Sequence, residues 1–447
     1  MQNQKLCVGL RAALALFAVA LITSSRSAAQ DTVVYPFESM FQSPPDGNYP
    51  YASLISDTAG NLYGTTWQGG NDAYCSPGCG IVFELSPPAT GGNFWVETIL
   101  HQFGATGTDG QFPFAGLISD TAGNLYGTTT AGGSYGFGTV FELKNPGTVD
   151  GEWHEKILHN FNFTNPGKDG YGPVASLIFD TAGNLYGTTY QGGKFDLGTV
   201  FELTPPSTPD APWPEQILHD FGAANLSGHG PFASLKIDAA GNLYGTTYGG
   251  GGNTTCTEGC GTVFELTPPS SPGAQWHSYC LHDFGGLDGA SPVAGLTFDT
   301  DGNLYGTTYQ GGRYGFGTVF ELTPPSALGA LWHWNSLHDF DDNGLDGEYP
   351  EAGLIFDSNG NLYGTTFSGG DGTSCGGGCG TVFELNLTGK TYHETFLSAF
   401  NGPTVDGSNP YAGLVLGADG NLYGTTTVGG GQLCDFCGYG TVFEVTP

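Results

Sequence analysis

The chain has 447 residues, and 10 Lys and Arg stand against 42 Asp and Glu, a formal net charge of −32. A field of that sign repels nucleic acid and anionic lipid and favours cations or cationic surfaces, so no nucleic-acid partner is expected. Length alone would allow two or three domains, but one composition runs throughout without a linker, and a single domain is expected.

The first elements in chain order are those of a targeting segment. Lys5 and Arg11 precede an apolar run over residues 12–22, and small residues follow, ending at Ser27, Ala28 and Ala29. A basic start, a short apolar core and small residues before a cleavage point describe a secretory signal peptide over residues 1–29. The run is too short for a membrane span, and Cys7 lies ahead of the apolar core, the wrong place for a lipid attachment site. Cleavage after Ala29 removes Lys5, Arg11 and Arg26 and no acid, leaving seven cations against 42 acids, or −35. No membrane insertion is expected after cleavage.

From there to the last residue the chain repeats. The stretch Gly-Asn-Leu-Tyr-Gly-Thr-Thr begins at Gly60 and again at Gly123, Gly183, Gly241, Gly302, Gly360 and Gly420. A fixed period of about 60 residues defines a repeat architecture before any other signal is weighed. In the second copy, Asp109-Gly110-Gln111-Phe112-Pro113 is turn chemistry. Residues 115–120 read as a first short strand, and residues 120–124 supply the Asp, Gly and Asn of a tight hairpin. A second strand follows over residues 125–129, then a Gly-rich loop, a third strand over 138–143 and a fourth over 153–161. No window holds a 3.6-residue period, so almost no helix is expected.

Four antiparallel strands per copy, repeated seven times, predict an all-β fold: a seven-bladed β-propeller over residues 30–447. The last copy ends after its third strand, at residues 440–445. The stretch Val33-Val34-Tyr35-Pro36-Phe37 matches Ile157-Leu158-His159-Asn160-Phe161 position for position, so the N-terminal strand should complete the seventh blade and remove an exposed sheet edge.

The candidate sites lie where the copies differ or where chemistry recurs. The connection into each copy and the loop between its second and third strands should share one face, and variable loops on a rigid scaffold usually carry function. After each GTT stand Trp67, Thr130, Tyr190, Tyr248, Tyr309, Phe367 and Thr427, and the five aromatics suit packing between blades first, and otherwise a rim that stacks on sugar rings. The turn aspartates Asp46, Asp109, Asp169, Asp288, Asp346 and Asp406 suit either a carboxylate ring holding Ca²⁺ or caps on their own turns; the fourth copy has Ser227 instead. Close cysteine pairs in the variable loops, Cys75/Cys79, Cys256/Cys260, Cys375/Cys379 and Cys434/Cys437, read as disulfides of a secreted chain rather than zinc ligands. Cys280, inside a fourth strand, reads as a buried free thiol. Third-strand glutamates Glu84, Glu142, Glu202, Glu265, Glu321, Glu384 and Glu444 are expected to bond across strands to His101, His159, His219, His282, His338, Tyr35 and Ser398. No nucleophile elbow, H-E-x-x-H or phosphate loop is present, and no catalytic residue is assigned.

The consensus A-G-L-x-x-D-x-x-G-N-L-Y-G-T-T-x-x-G-G…G-T-V-F-E-L, as in Ala294-Gly295-Leu296 through Leu322, resembles the Gloeo/Verruco repeat of secreted bacterial proteins. The resemblance covers nearly the whole chain after residue 29 and implies tandem copies behind a signal peptide; the family brings no established activity and no catalytic residue. Members carry C-terminal anchors, whereas this chain stops at Pro447 directly after the last strand, so release into periplasm or medium is expected over surface attachment. The Asp-x-x-Gly-Asn-Leu-Tyr core also looks like the repeat of sugar- and protein-binding propellers, an analogy at the level of fold. The leading expectation is a monomeric, non-enzymatic binding module for an extracellular glycan or protein. The alternatives are a carbohydrate-active hydrolase or lyase using loop-face acids, and a metal-stabilised envelope component.

Overall fold

A computed structural model of the protein describes residues 31–37, 46–70, 74–89, 94–148, 151–163, 169–208, 211–222, 228–271, 273–326, 331–372, 374–430 and 438–447. The expected signal peptide over residues 1–29, Cys434, Cys437 and Ser227 lie outside them. Among the described residues there is no helix, and seven four-stranded antiparallel sheets form a closed ring, a seven-bladed β-propeller.

The second blade shows the plan: Ile118–Ser119, Leu125–Thr129, Thr139–Lys144 and His154–Asn160, from the axis outward. The innermost strand is only two residues long, shorter than its apolar run suggests. Its upstream residues leave the ladder because a neighbouring blade claims their carbonyls. The first Thr of every GTT donates across to the axial Ala of the next blade, as Thr65 Oγ1 does to the Ala115 carbonyl, at 3.0–3.5 Å in all seven junctions. The second Thr turns inward: Thr129 Oγ1 meets Thr139 Oγ1 at 2.8 Å and closes its own blade.

The hairpin after the innermost strand is an Asx turn. Asp180 Oδ1 accepts from the backbone N–H of Ala182 (2.8 Å) and Asn184 (2.9 Å), while Oδ2 accepts from the Asn184 amide (2.8 Å) and the Tyr186 hydroxyl (3.2 Å). Gly183 takes φ +86 there. In the last copy Gly417 replaces that aspartate, and Asp419 takes over the Tyr423 hydroxyl at 2.7 Å.

Blades pack through fully buried phenylalanines. Phe141 of the third strand meets Phe103, at the end of the preceding blade's outer strand, edge to face at 5.1 Å. Gly127 opposite it has no room for a side chain: a Cβ would lie 2.6 Å from Phe141 Cζ. The ring closes as expected. Asp31–Pro36 pairs antiparallel with Thr441–Val445, Tyr35 facing Val442 and Val33 facing Phe443, as His159 faces Val140 and Ile157 faces Phe141. Phe37 then meets Phe83 at 5.2 Å, so the seam is packed like any other junction.

Two expectations are corrected. With Leu158 as a bulge in the outer ladder, His159 stands opposite Val140, two positions from the glutamate, and Glu142 faces Lys156. The third-strand glutamates instead accept from the motif tyrosines, Tyr126 to Glu142 at 3.2 Å and Tyr363 to Glu384 at 2.9 Å. Cys280 is free but exposed, on the outermost strand of its blade, with its Sγ donating to the His282 carbonyl at 3.4 Å. Partial burial, with Asp283 beside it, still pushes the thiol up to about 11.

Candidate functional site

Three of the expected disulfides are present, Cys75–Cys79, Cys256–Cys260 and Cys375–Cys379. They pin the loop between second and third strands, and what that loop holds is the next blade. The carbonyls of Cys79, Cys260 and Cys379 accept from the backbone N–H of Phe112, Ser291 and Asn409, at 2.8, 2.7 and 2.8 Å. The same residues pass their own carbonyls on to the residue after GTT: Thr130 N–H donates to Phe112 O at 3.1 Å and Thr427 N–H to Asn409 O at 3.1 Å.

Held from both sides, that residue takes a left-handed conformation. Gly172 and Gly230 do so without strain, but Tyr49, Phe112, Ser291, Tyr349 and Asn409 do so with φ between 55 and 58°. Left-handed backbone at a bulky residue costs on the order of 1–3 kcal/mol and persists where surrounding bonds over-determine it. From there Tyr49 stacks on Tyr51 at 6.4 Å, Phe112 meets Trp67 at 5.5 Å and Tyr349 meets Tyr309 at 5.2 Å.

The axis carries the residue just before each axial Ala: Tyr51, Phe114, Val174, Phe232, Val293, Glu351 and Tyr411. Around the ring the only like neighbours there are Tyr411 and Tyr51, at the closure. On one side the axis is filled, since Phe114 stacks on Tyr51 at 5.0 Å and reaches Tyr411 at 5.5 Å and Phe232 at 5.8 Å across the ring. Trp67 closes that side against Phe112 at 5.5 Å. On the other side Val293 leaves space, and a pocket of about 200 Å³ opens between Tyr190, Phe232, Tyr248, Tyr309, Glu351 and Tyr411.

Glu351 is the acid of that pocket among the described residues. Burial pushes its carboxyl up to about 7 against a hydrogen bond with Tyr411 that pulls it down. Burial likewise raises the Tyr190 and Tyr309 phenols, with Tyr248 and Glu351 respectively next in effect, so both stay neutral donors at ordinary pH. The site therefore combines aromatic faces, phenolic donors and one carboxyl that titrates near neutrality.

Of the expected rim residues, Tyr190, Tyr248 and Tyr309 meet in this pocket, Trp67 belongs to the filled side, and Phe367 sits between them, its N–H bonded to Tyr349 O at 3.1 Å. The expected aspartates are elsewhere, at the junctions between blades, where each closes its own turn. Asp46 accepts from Gly47 N–H (2.7 Å), Asp109 from Ala105 (2.8 Å), Asp169 from Asn162 (2.8 Å), Asp288 from Gly285 (2.6 Å), Asp346 from Asp341 (3.0 Å) and Asp406 from Asn401 (2.7 Å). They do not form one axial ring. Asp109, Asp169 and Asp346 each face the outer-strand histidine before them and an acid on the next blade's outer strand, as Asp109 faces His101 and Glu155. Burial and the adjacent aspartate push Glu97 up to about 8 and Glu155 and Glu215 up to about 9. Sequence reasoning missed the axial residues, although the position after the Pro of each turn varies between a constant Pro and a constant Ala.

Two solved structures with the same fold are the extracellular domains of a hybrid two-component system and of a one-component system, both from B. thetaiotaomicron. They match at TM-scores of 0.55 and 0.53 with 13% and 12% identity, each over 94% of this chain and 42% of the other. The chain thus spans less than half the length of these relatives, and the likeness is one of fold. No curated protein matches. No helix among the described residues is long and apolar enough to cross a membrane. The family model of the Gloeobacter/Verrucomicrobia repeat matches residues 22–257, 123–376 and 253–447, so the chain belongs to that repeat family.

Proposed function

We propose that the protein is a secreted, non-enzymatic binding module that takes a glycan residue into the open side of its axial funnel. The observation behind this reading is the asymmetry of the axis. Seven near-identical blades place two tyrosines, two phenylalanines, two valines and a single glutamate there and leave one pocket walled by Tyr190, Phe232, Tyr248, Tyr309 and Tyr411 around the carboxyl of Glu351. A sugar ring offers one face of C–H bonds to an aromatic ring and a rim of hydroxyls to phenols and a carboxyl, and the pocket supplies both. Secretion fits the basic-apolar-small start of the chain and the disulfides, which persist in oxidising compartments.

The hydrolase reading is less favoured, because carboxylate-pair chemistry needs two acids roughly 5–9.5 Å apart and the pocket lining offers Glu351 alone. A glycan array probed with the chain from residue 30 onward, followed by calorimetry on the hits, tests the proposal. Tyr190→Ala and Tyr309→Ala should each weaken binding by about tenfold, the worth of one aromatic contact near 1.4 kcal/mol, with little loss of thermal stability. Silence across neutral and acidic glycans, or hits that both substitutions leave unchanged, would overturn it.

A further inference from the structure

The junctions between blades hold a chemistry that the funnel does not use. At the junction of the first and second blades, His101 Nε2 stands 3.7 Å from Asp109 Oδ1 and 3.7 Å from Glu155 Oε2. At the next junction His159 Nε2 stands 3.5 Å from Asp169 Oδ2 and 3.7 Å from Glu215 Oε1. In each trio the three atoms lie within 4.8 Å of one another. These separations exceed a charge-assisted hydrogen bond, which closes to about 2.7–2.9 Å.

The atoms are nonetheless shut away from water. The Asp109 side chain is 4% exposed, and its Oδ1 makes no hydrogen bond among the described residues. His101 Nε2 is buried and unpartnered in the same way, and so are His159 Nε2 and Glu215 Oε1. The orphans thus face each other, Asp109 Oδ1 and His101 Nε2 at one junction and His159 Nε2 and Glu215 Oε1 at the next; such pairs are rare in a folded interior and call for a missing partner. The imidazoles are held in place, His101 against Phe103 at 4.7 Å and His159 against Phe161 at 4.8 Å, so they point into the gap by packing.

Other junctions of the same ring provide internal controls. Where Trp334 replaces the third acid and stacks on His282, that histidine closes on Asp288 at 3.0 Å. Where Tyr35 replaces the histidine, its hydroxyl donates to Glu97 at 3.0 Å and to Asp46 at 3.3 Å. At the His338 junction, where Glu394 completes a third trio 3.5 Å from the imidazole, the ring has also closed on Asp346, at 3.1 Å. The fold can therefore contract this junction to hydrogen-bond length, yet in the first two histidine trios it stands open.

An opening of that size fits a cation. Ligands about 2.1 Å from a tetrahedral ion lie roughly 3.4 Å from one another. One imidazole nitrogen with two carboxylate oxygens suits zinc or a similar first-row ion better than calcium, which takes oxygen ligands throughout. We propose that His101, Asp109 and Glu155, and separately His159, Asp169 and Glu215, each bind a divalent first-row cation such as Zn²⁺. Each ion staples the outer strands of adjacent blades and completes its shell with water. It also neutralises two buried carboxylates in a chain that has few cations to spare for them.

The test uses the chain from residue 30 onward, stripped with chelator and titrated with ZnCl₂. Two tightly held ions per chain are expected by elemental analysis, with a rise in melting temperature. His101→Tyr, which copies the residue the fold already accepts at Tyr35, should remove one ion, and adding His159→Tyr should remove the second. His282→Gln, at a junction lacking the third acid, should leave the metal content unchanged. Zinc-edge absorption should give one nitrogen with oxygens at about 2.0–2.2 Å and no sulfur. Failure of the stripped wild-type chain to bind, or zinc that survives both tyrosine substitutions, would overturn the assignment.

Discussion

The two faces of the ring differ in what they repeat. On the hairpin face nearly every blade builds the same network of turn aspartate, asparagine amide, tyrosine hydroxyl and third-strand glutamate, as in Asp238, Asn242, Tyr244 and Glu265. On the loop face the corresponding blades place Tyr51, Phe114, Val174, Phe232, Val293, Glu351 and Tyr411 around the axis, and the result is filled on one side and open on the other. A residue that recurs in every blade serves the ring, whereas an axis needs only one place to bind. The contrast teaches that invariance within this chain marks architecture and that departures from it mark the site.

The strongest way to break this comparison is to remove a repeated core residue in two blades. Phe141→Ala and Phe201→Ala empty fully buried sites and should each cost about 3–5 kcal/mol. Their midpoints in guanidinium unfolding should shift by the same amount. Unequal shifts would mean that the blades are not equivalent where the sequence says they are.

A smaller effect sharpens the hairpin half. Asp180→Ala orphans the Asn184 and Tyr186 donors and should cost about 1–3 kcal/mol by thermal unfolding. It should leave ligand affinity in the funnel untouched, which Tyr190→Ala should not.

The smallest effect belongs to one carboxyl of the funnel. Glu351 in the folded chain titrates at about 7 against an ordinary value of 4.5, so between those pH values folding takes up a proton. The stability it contributes is fully present below pH 4.5 and is lost as pH rises through 7. Wild type and Glu351→Gln should therefore diverge across that window in melting temperature, the wild type losing stability as pH increases. Parallel curves would show that Glu351 is as solvated as an ordinary carboxylate, and the pocket correspondingly open.

Much of this was legible in the order of residues alone. The period, the hairpin chemistry of Asp-x-x-Gly-Asn, the strand types and the N-terminal strand of the seventh blade are local patterns or matches between copies, and local pattern is what a sequence displays directly. The Glu–His pairing failed because the register of the outer ladder sets Glu142 against Lys156, three residues before the histidine, and the offset between two strands is not displayed by the alternation of either one. The threonines of GTT read as strand formers but also suture blades, because their partners are the axial carbonyls some 45 to 50 residues away.

What the sequence determined by itself was the ring: seven equal units, each needing neighbours on both sides to bury its faces. What only the tertiary structure decided was where those units stop being equal. Tyr190, Phe232, Tyr309 and Glu351 lie far apart in the chain, and His101, Asp109 and Glu155 come from two blades. Closure brings each group together, since a ring converts equivalent positions along the chain into neighbours around one axis.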